Sequence, residues 1–264
     1  MTEKPSGPLP IDAPVPGSSF TDLLHSMDAL PEVNIPQGGQ QVSAPEGTTV
    51  LAMRYDGGVV MAGDRRATEG HLVAHRRIRK VFPADQYSAV AIAGTAGLAM
   101  DMVKLFQVEL EHYEKIEGIR LSLDGKASFL ARMVRGQLPM AFQGLVVVPL
   151  FGGYDDKEST GRVYTFDVVG GRYEETDFGS TGSGARLAKS YLRTAYEEGM
   201  SADDAMATAV NALVAASTED TGTGAPDLLR GILPNLVRIH ADGLEEISDE
   251  RIYPLAEHAV ENVR

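Results

Sequence analysis

From Thr48 onward the apolar pattern runs strands, two helices, strands, two helices, strands. That order limits the fold more than any other feature. TTVLAMRY, the turn at Asp56-Gly57-Gly58 and VVMAGD read as a hairpin, and strand-like runs follow at Ile78–Phe82 and Tyr87–Ala93. Helical spacing occupies Leu98–Glu117 and Lys126–Ala141. LVVVPLFGGY (Leu145–Tyr154), RVYTFDV and RYEETDF return to strand character. A second helical pair spans Ala185–Glu198 and Ala202–Ser217, the latter opened by a capping-box-like Ser201-x-x-Asp204. NLVRIH, a turn at Asp242-Gly243 and LEEI make a last hairpin before an amphipathic piece, Pro254–Val263. Strands grouped apart from helices supply no run of right-handed parallel crossovers, which disfavours a doubly wound nucleotide-binding sheet. The expectation is an α+β fold: two mostly antiparallel sheets packed face to face, each covered outside by a helix pair.

Residues 1–47 differ in kind. They hold eight of the chain's 14 prolines, six acidic residues and one basic residue, Lys4. Proline removes a backbone donor and fixes φ, so this stretch reads as a leader outside the folded domain. One island interrupts it, with Phe20, Leu23, Leu24, Met27 and Leu30 at helical spacing behind Ser18 and Ser19. Residues 36–47 read as an exposed linker. The segment reads either as a frayed terminal tail or as a pro-segment that docks through that apolar stripe, and the domain reading is a disposable leader, 1–47, ahead of one compact domain, 48–264.

The formal charge of −13 opposes a nucleic-acid or anionic-membrane partner. The chain has no cysteine, hence no thiolate nucleophile, disulfide or cysteine–zinc site. The longest apolar run, Leu145–Phe151, is far below the roughly 20 residues that span a bilayer. A cytoplasmic location is expected. His71 and His75 have i, i+4 spacing but sit in a strand-like segment without an HExxH pattern, and read as surface histidines. GSTGSGA lacks the GK[ST] of a phosphate loop and reads as a strand-to-helix turn. No metal and no cofactor is expected.

Residues 65–80 hold six cations against Glu69, in a domain of 23 basic and 31 acidic residues. Such a run is usually a solvated face. The alternative is a local positive field that holds down the pKa of a neighbouring amine. That field matters at Thr48. A threonine hydroxyl needs a base before it attacks. Cutting the Gly47–Thr48 bond gives Thr48 a free α-amine, with a reference pKa of about 7.7–8.0. Nucleophile and base then belong to one residue. Taken singly, Thr-Thr-Val is a β-branched strand start, Asp64 a turn residue and Lys80 a solvated lysine. Their conjunction carries the functional reading.

The run G-TTV at 47–50, GDRRATEG at 63–70, RKV at 79–81 and IAGTAG at 92–97 resembles the N-terminal-nucleophile hydrolases, and more closely the β-type subunits of 20S proteasomes. GSTGSG at 179–184, DTGTGAPDL at 220–228 and the long leader are similar to the actinobacterial branch. The resemblance covers residues 47–264 and implies a four-layer αββα sandwich and threonine endopeptidase activity. It implies that Thr48 is the nucleophile, released by self-cleavage after Gly47, and that Asp64 orients the catalytic Lys80. Gly94 would stabilise the oxyanion through its N–H. Ser183, Asp220 and Thr223 would hydrogen-bond around the amine, Thr223 standing where the family has serine. Ala67, Ile78, Ile92, Ala96 and Met100 match the pocket for the residue before the cut bond, which implies cleavage after hydrophobic residues. Thr68, Gly94 and Ala96 match positions that hold substrate as an added strand. Implied partners are identical β subunits and α subunits in heptameric rings, a ring-shaped ATPase, and protein or peptide substrates. Other readings are a ClpQ-type peptidase, an amide-cleaving acylase and a non-catalytic scaffold subunit. The DTGTGAPDL segment opposes the first, and the joint presence of Thr48, Asp64 and Lys80 opposes the last.

Overall fold

A computed structural model describes residues 47–69 and 72–262. The apolar stripe Phe20–Leu30, most of the 36–47 linker and His71 lie outside the described residues.

The first hairpin forms as its pattern demands. Strands β1 (Thr49–Tyr55) and β2 (Gly58–Gly63) pair antiparallel, Val50 opposite Gly63 and Tyr55 opposite Gly58. A small hairpin, β3 (Ala67–Glu69) and β4 (Leu72–His75), stands apart from both large sheets, and β4 is exposed throughout. The chain then builds β5 (Val81–Asp85) and β6 (Ser88–Gly94), followed by helices α1 (Ala96–Glu117), α2 (Leu123–Gly136) and the short α3 (Leu138–Ala141). Next come β7 (Val147–Asp155), β8 (Thr160–Phe166), β9 (Arg172–Glu175) and β10 (Phe178–Gly182). Helices α4 (Ala185–Ala195) and α5 (Ala202–Ser217) precede β11 (Asn235–His240), β12 (Gly243–Glu246) and α6 (Asp249–Glu261). One antiparallel sheet has the order β10-β1-β2-β11-β12, the other β5-β6-β7-β8-β9.

The side-chain period of two sorts these strands into layers. Val50 and Ala52 of β1, Val59 and Met61 of β2, and Ala89 and Ala91 of β6 pack between the sheets. Their neighbours Leu51, Met53, Val60 and Ala62 face outward onto α4, α5 and α6. Val90 and Ile92 face the opposite way, onto Met102, Val103 and Phe106 of α1 and Leu130 and Val134 of α2. Three apolar interlayers therefore separate four layers, helix–sheet–sheet–helix, the αββα sandwich that was expected.

Four local expectations need correction. Ile78–Lys80 is not strand. Lys80 N–H donates to Asn235 Oδ1 at 3.1 Å, and Ile78 N–H to Arg65 carbonyl, so the chain bends and β5 begins only at Val81. RYEETDF is two strands, β9 in one sheet and β10 in the other, with the crossing at Thr176-Asp177. The helix expected over 126–141 starts at Leu123, where Ser122 Oγ accepts from Gly125 N–H, and breaks at Gln137 ahead of Pro139. The last helix starts at Asp249 and holds Pro254 inside, because Ile252, Ala256 and Ala259 on its buried face outweigh the lost donor. Ser201 does cap α5, its hydroxyl accepting from Asp204 N–H at 3.2 Å.

Among the described residues no helix is long and apolar enough to cross a membrane, and no group of three or more His, Cys, Asp or Glu side chains is placed to hold a metal ion.

The layer between α1 and its sheet turns on Phe151, whose ring meets Phe106 edge-on at 5.9 Å and Tyr164 at 6.1 Å. Phe151→Ala empties a fully buried site. It is expected to cost about 3–5 kcal/mol of unfolding free energy, read from chemical denaturation; a loss below about 1 kcal/mol would show that the layer repacks.

Candidate active site

The first hairpin delivers both ends of its own chain to one place. Thr48 stands just before β1 and Asp64 just after β2, and the β1–β2 register brings them together. Thr49 N–H donates to Asp64 Oδ1 at 2.8 Å, and Asp64 N–H to the Thr49 carbonyl at 3.1 Å. The same carboxylate accepts from Arg66 N–H at 2.8 Å, Gly224 N–H at 2.9 Å and Lys80 Nζ at 2.6 Å. Asp64 is 1% exposed and Lys80 3%. An ion pair this deep persists only when the remaining lone pairs and protons are also matched. Here they are. Lys80 Nζ has three acceptors, Asp64 Oδ1, the Arg66 carbonyl at 2.5 Å and the Gly47 carbonyl at 3.3 Å, one for each proton of an ammonium. Burial holds the Lys80 amine below the usual lysine range, and Asp64 opposes that shift.

Thr48 is buried, with its hydroxyl donating to the Gly47 carbonyl at 2.7 Å. Two donors, the Thr48 hydroxyl and Lys80 Nζ, thus converge on one carbonyl oxygen. On the nitrogen side, Thr48 N–H donates to Ser183 Oγ at 3.3 Å, and Ser183 Oγ donates to Asp220 Oδ2 at 2.6 Å. Thr223, fully buried, donates its hydroxyl to that same oxygen at 2.5 Å. Ser183 comes from the β10–α4 turn, and Asp220 and Thr223 from the loop after α5. GSTGSGA is therefore a turn that carries a hydroxyl to Thr48.

The five pocket residues come together. Ala67, Ile78, Ile92, Ala96 and Met100 line one recess with Gly47, Thr48, Gly94 and Ala99. Arg79 and Lys80 also border it. The Arg79 guanidinium is turned onto Glu246 at 2.6 Å and the Val81 carbonyl at 2.8 Å, and Lys80 is engaged as above, so both charges at the border of the recess already have partners. Gly94 ends β6 at φ 111°, and a Cβ there would strike the Val146 carbonyl; only glycine fits. Thr68 stands beside Gly47 and does not line the recess. Arg66 and Arg77 of the basic run donate to the carbonyls of Thr221, Arg230 and Gly231, clasping the loop that follows α5.

Sequence reasoning missed three contributors. Thr49, Arg66 and Asn235 act through a hydroxyl, a carbonyl and a side-chain amide that touch the site from neighbouring strands and loops. Thr49 reads in sequence as a strand former, and a backbone carbonyl has no signature at all.

The proteasome subunit family model matches residues 44–226. Over 249 residues the chain is 49% identical to proteasome subunit beta of Acidimicrobium ferrooxidans, covering 94% of this chain and 91% of that one. It is 47% identical over 262 residues to the protein of that name from Acidothermus cellulolyticus, covering 96% and 90%. The protein of that name from Streptomyces griseus is 47% identical over 262 residues, covering 97% and 92%.

Asp64→Asn leaves an ammonium buried beside a neutral amide. The expected cost is about 3–5 kcal/mol at neutral pH, read from chemical denaturation. Lys80 also gives stability a definite slope. Its folded pKa lies below the 10.5 of an ordinary lysine, so on raising the pH the folded chain loses this proton first. Stability therefore rises with pH between those two values. Asp64→Asn lowers the folded pKa further and extends the window downward; an unchanged Lys80 Nζ titration by NMR would contradict the pairing.

Proposed function

The chain belongs to the proteasome subunit family, and from that premise we propose how it cuts peptide bonds. It is a catalytic β subunit of the bacterial proteasome, a threonine endopeptidase, and a component of proteasome rings that also contain α subunits. Residues 1–47 are a propeptide, and residues 48–264 are the catalytic domain. One observation carries the mechanism: the Thr48 hydroxyl, at 2.7 Å, and Lys80 Nζ, at 3.3 Å, meet on the carbonyl oxygen of the bond to be cut.

Self-cleavage comes first. Thr48 Oγ attacks the Gly47 carbonyl carbon, closing a five-membered ring, while the Lys80 ammonium draws charge onto the carbonyl oxygen. Collapse breaks the C–N bond and leaves Gly47 esterified to the Thr48 oxygen, the hydroxyl proton ending on the departing nitrogen. That break frees the Thr48 amine, which the peptide linkage had withheld, and water then hydrolyses the ester, releasing the leader as an acid and restoring the Thr48 hydroxyl.

The mature cycle uses the amine as base. It takes the Thr48 hydroxyl proton, directly or through water, as the oxygen attacks a substrate carbonyl. Gly94 N–H stabilises the oxyanion, a contribution of about 3–4 kcal/mol for such a donor. Lys80 lowers the amine's pKa by its charge, with Asp64 holding it in place, and Ser183 and Asp220 orient the N–H bonds. The acyl enzyme is hydrolysed by water. Substrate lies as an added strand along Thr68, Gly94 and Ala96, with an apolar side chain in the recess walled by Ala67, Ile78, Ile92 and Met100. The rings are heptameric, the α rings are served by a ring-shaped ATPase, and the particle works in the cytoplasm.

Thr48→Ala is expected to abolish both peptide hydrolysis and leader removal; a normally trimmed, active variant would refute the mechanism. Gly47→Ala places a Cβ against Thr68 Oγ1 and 2.8 Å from Gly222 Cα. Leader removal, followed by intact mass, is expected to slow by about 10-fold or more, because displaced reacting atoms lose their alignment. Peptides with a hydrophobic residue before the cut bond are expected to turn over fastest; equal rates with acidic or basic residues there would overturn the assignment of the recess.

A further inference from the structure

Thr49 takes no part in the reaction described above, yet its hydroxyl is buried with two partners. The residue starts β1 on the face it shares with Leu51 and Met53, and it is fully inaccessible. Its Oγ1 accepts from Gly184 N–H at 3.0 Å and lies 2.5 Å from Thr223 Oγ1. The carboxylate at the end of the chain settles the proton order. Ionised Asp220 only accepts, so the single Thr223 hydroxyl proton, 2.5 Å from Asp220 Oδ2, belongs to that bond. Thr223 therefore accepts from Thr49, and Thr49 from Gly184. Ser183 donates to the same Asp220 oxygen and turns a lone pair toward Thr48 nitrogen. Two hydroxyl arms thus meet on one carboxylate oxygen, and the second arm ends on the nitrogen that becomes the catalytic amine. The packing protects this arrangement. A Cβ at Gly184 would drive into the hydroxyls of both Thr49 and Thr223. A valine would fill the space of Thr49 with no polar group to satisfy, and would leave Gly184 N–H and the Thr223 lone pair orphaned in the interior.

We propose that Thr49 is a positioning residue for hydrolysis: its hydroxyl orients Thr223, and with it the Asp220–Ser183 arm that receives the N–H of the Thr48 amine. This rests on the reading of Thr48 as both nucleophile and base.

The test compares Thr49→Val with Thr49→Ser in the full particle assembled with α subunits. Thr49→Val is expected to lower kcat by about 10-fold to 100-fold. KM should stay within about two-fold, since the recess is untouched. Losing the Ser183 acceptor disfavours the charged amine, so the acid limb of kcat/KM should move to lower pH by roughly half a unit. Thr49→Ser should restore kcat and the limb. Wild-type kcat in Thr49→Val, an unmoved acid limb, or a serine variant as impaired as the valine variant would each overturn the proposal. If Thr49→Val stays uncut, leader removal becomes the readout: a normal rate in Thr49→Ser supports the role of the hydroxyl, and an equally slow one overturns it. Hydrolysis by Thr48→Ala would sink the underlying mechanism; an inert Thr48→Ala beside a fully active Thr49→Val sinks only the role of Thr49.

Discussion

The buried pair between Lys80 and Asp64 makes the strictest demand on this molecule. Removing two charges from water costs several kcal/mol per ion even after relaxation. Their mutual attraction offsets that only when every remaining lone pair and proton finds a partner. Asp64 draws its four donors from the start of β1, the residue after Arg65, the loop behind α5 and the entrance to β5. No one supersecondary unit holds all of them. The pair therefore exists only once both sheets and their connecting loops have come together, and site formation is tied to completion of the fold.

Thr48 sits between this pair and a second polar group of opposite sign. On the carbonyl side stands Lys80 Nζ, whose burial favours proton loss and whose pairing with Asp64 opposes it. On the nitrogen side stand Ser183 and Asp220. A cation lowers the affinity of an amine for its proton, and a hydrogen-bonded carboxylate raises it. In the proposed mature form the two act on one amine in opposite directions, so its proton balance depends on geometry held by strand and loop packing. The recess beside it is apolar and is contributed mainly by the residues before β5, the end of β6 and the first turns of α1. The proposed mechanism therefore draws its chemistry and its side-chain selection from different parts of the chain.

Much of this was legible from residue order. The β1–β2 hairpin, the cap at Ser201, the α5 span and the last hairpin all follow from local periodicity and turn chemistry, which depend on neighbours in sequence. The failures share a cause. RYEETDF has one continuous strand pattern, yet its halves join different sheets, because the crossing at Thr176-Asp177 depends on what each half meets. Ile78–Lys80 has strand composition but bends, since Asn235, far along the chain, takes the Lys80 N–H. Pro254 argues for a helix start, but burial of Ile252 and Ala256 carries the helix past it.

Residue order alone determined the layer count and, through an ordered set of motifs, the class of chemistry, because periodicity and motif order survive without coordinates. Tertiary structure alone decided that Lys80 has three acceptors, that Arg79 turns its charge away from the recess, and that Thr49 joins the polar chain around the Thr48 nitrogen. Those are relations between groups up to 174 positions apart, set by which strand faces which loop. Hydrogen bonds are decided over tenths of an ångström in space, and that distance is not written in the linear spacing of the residues.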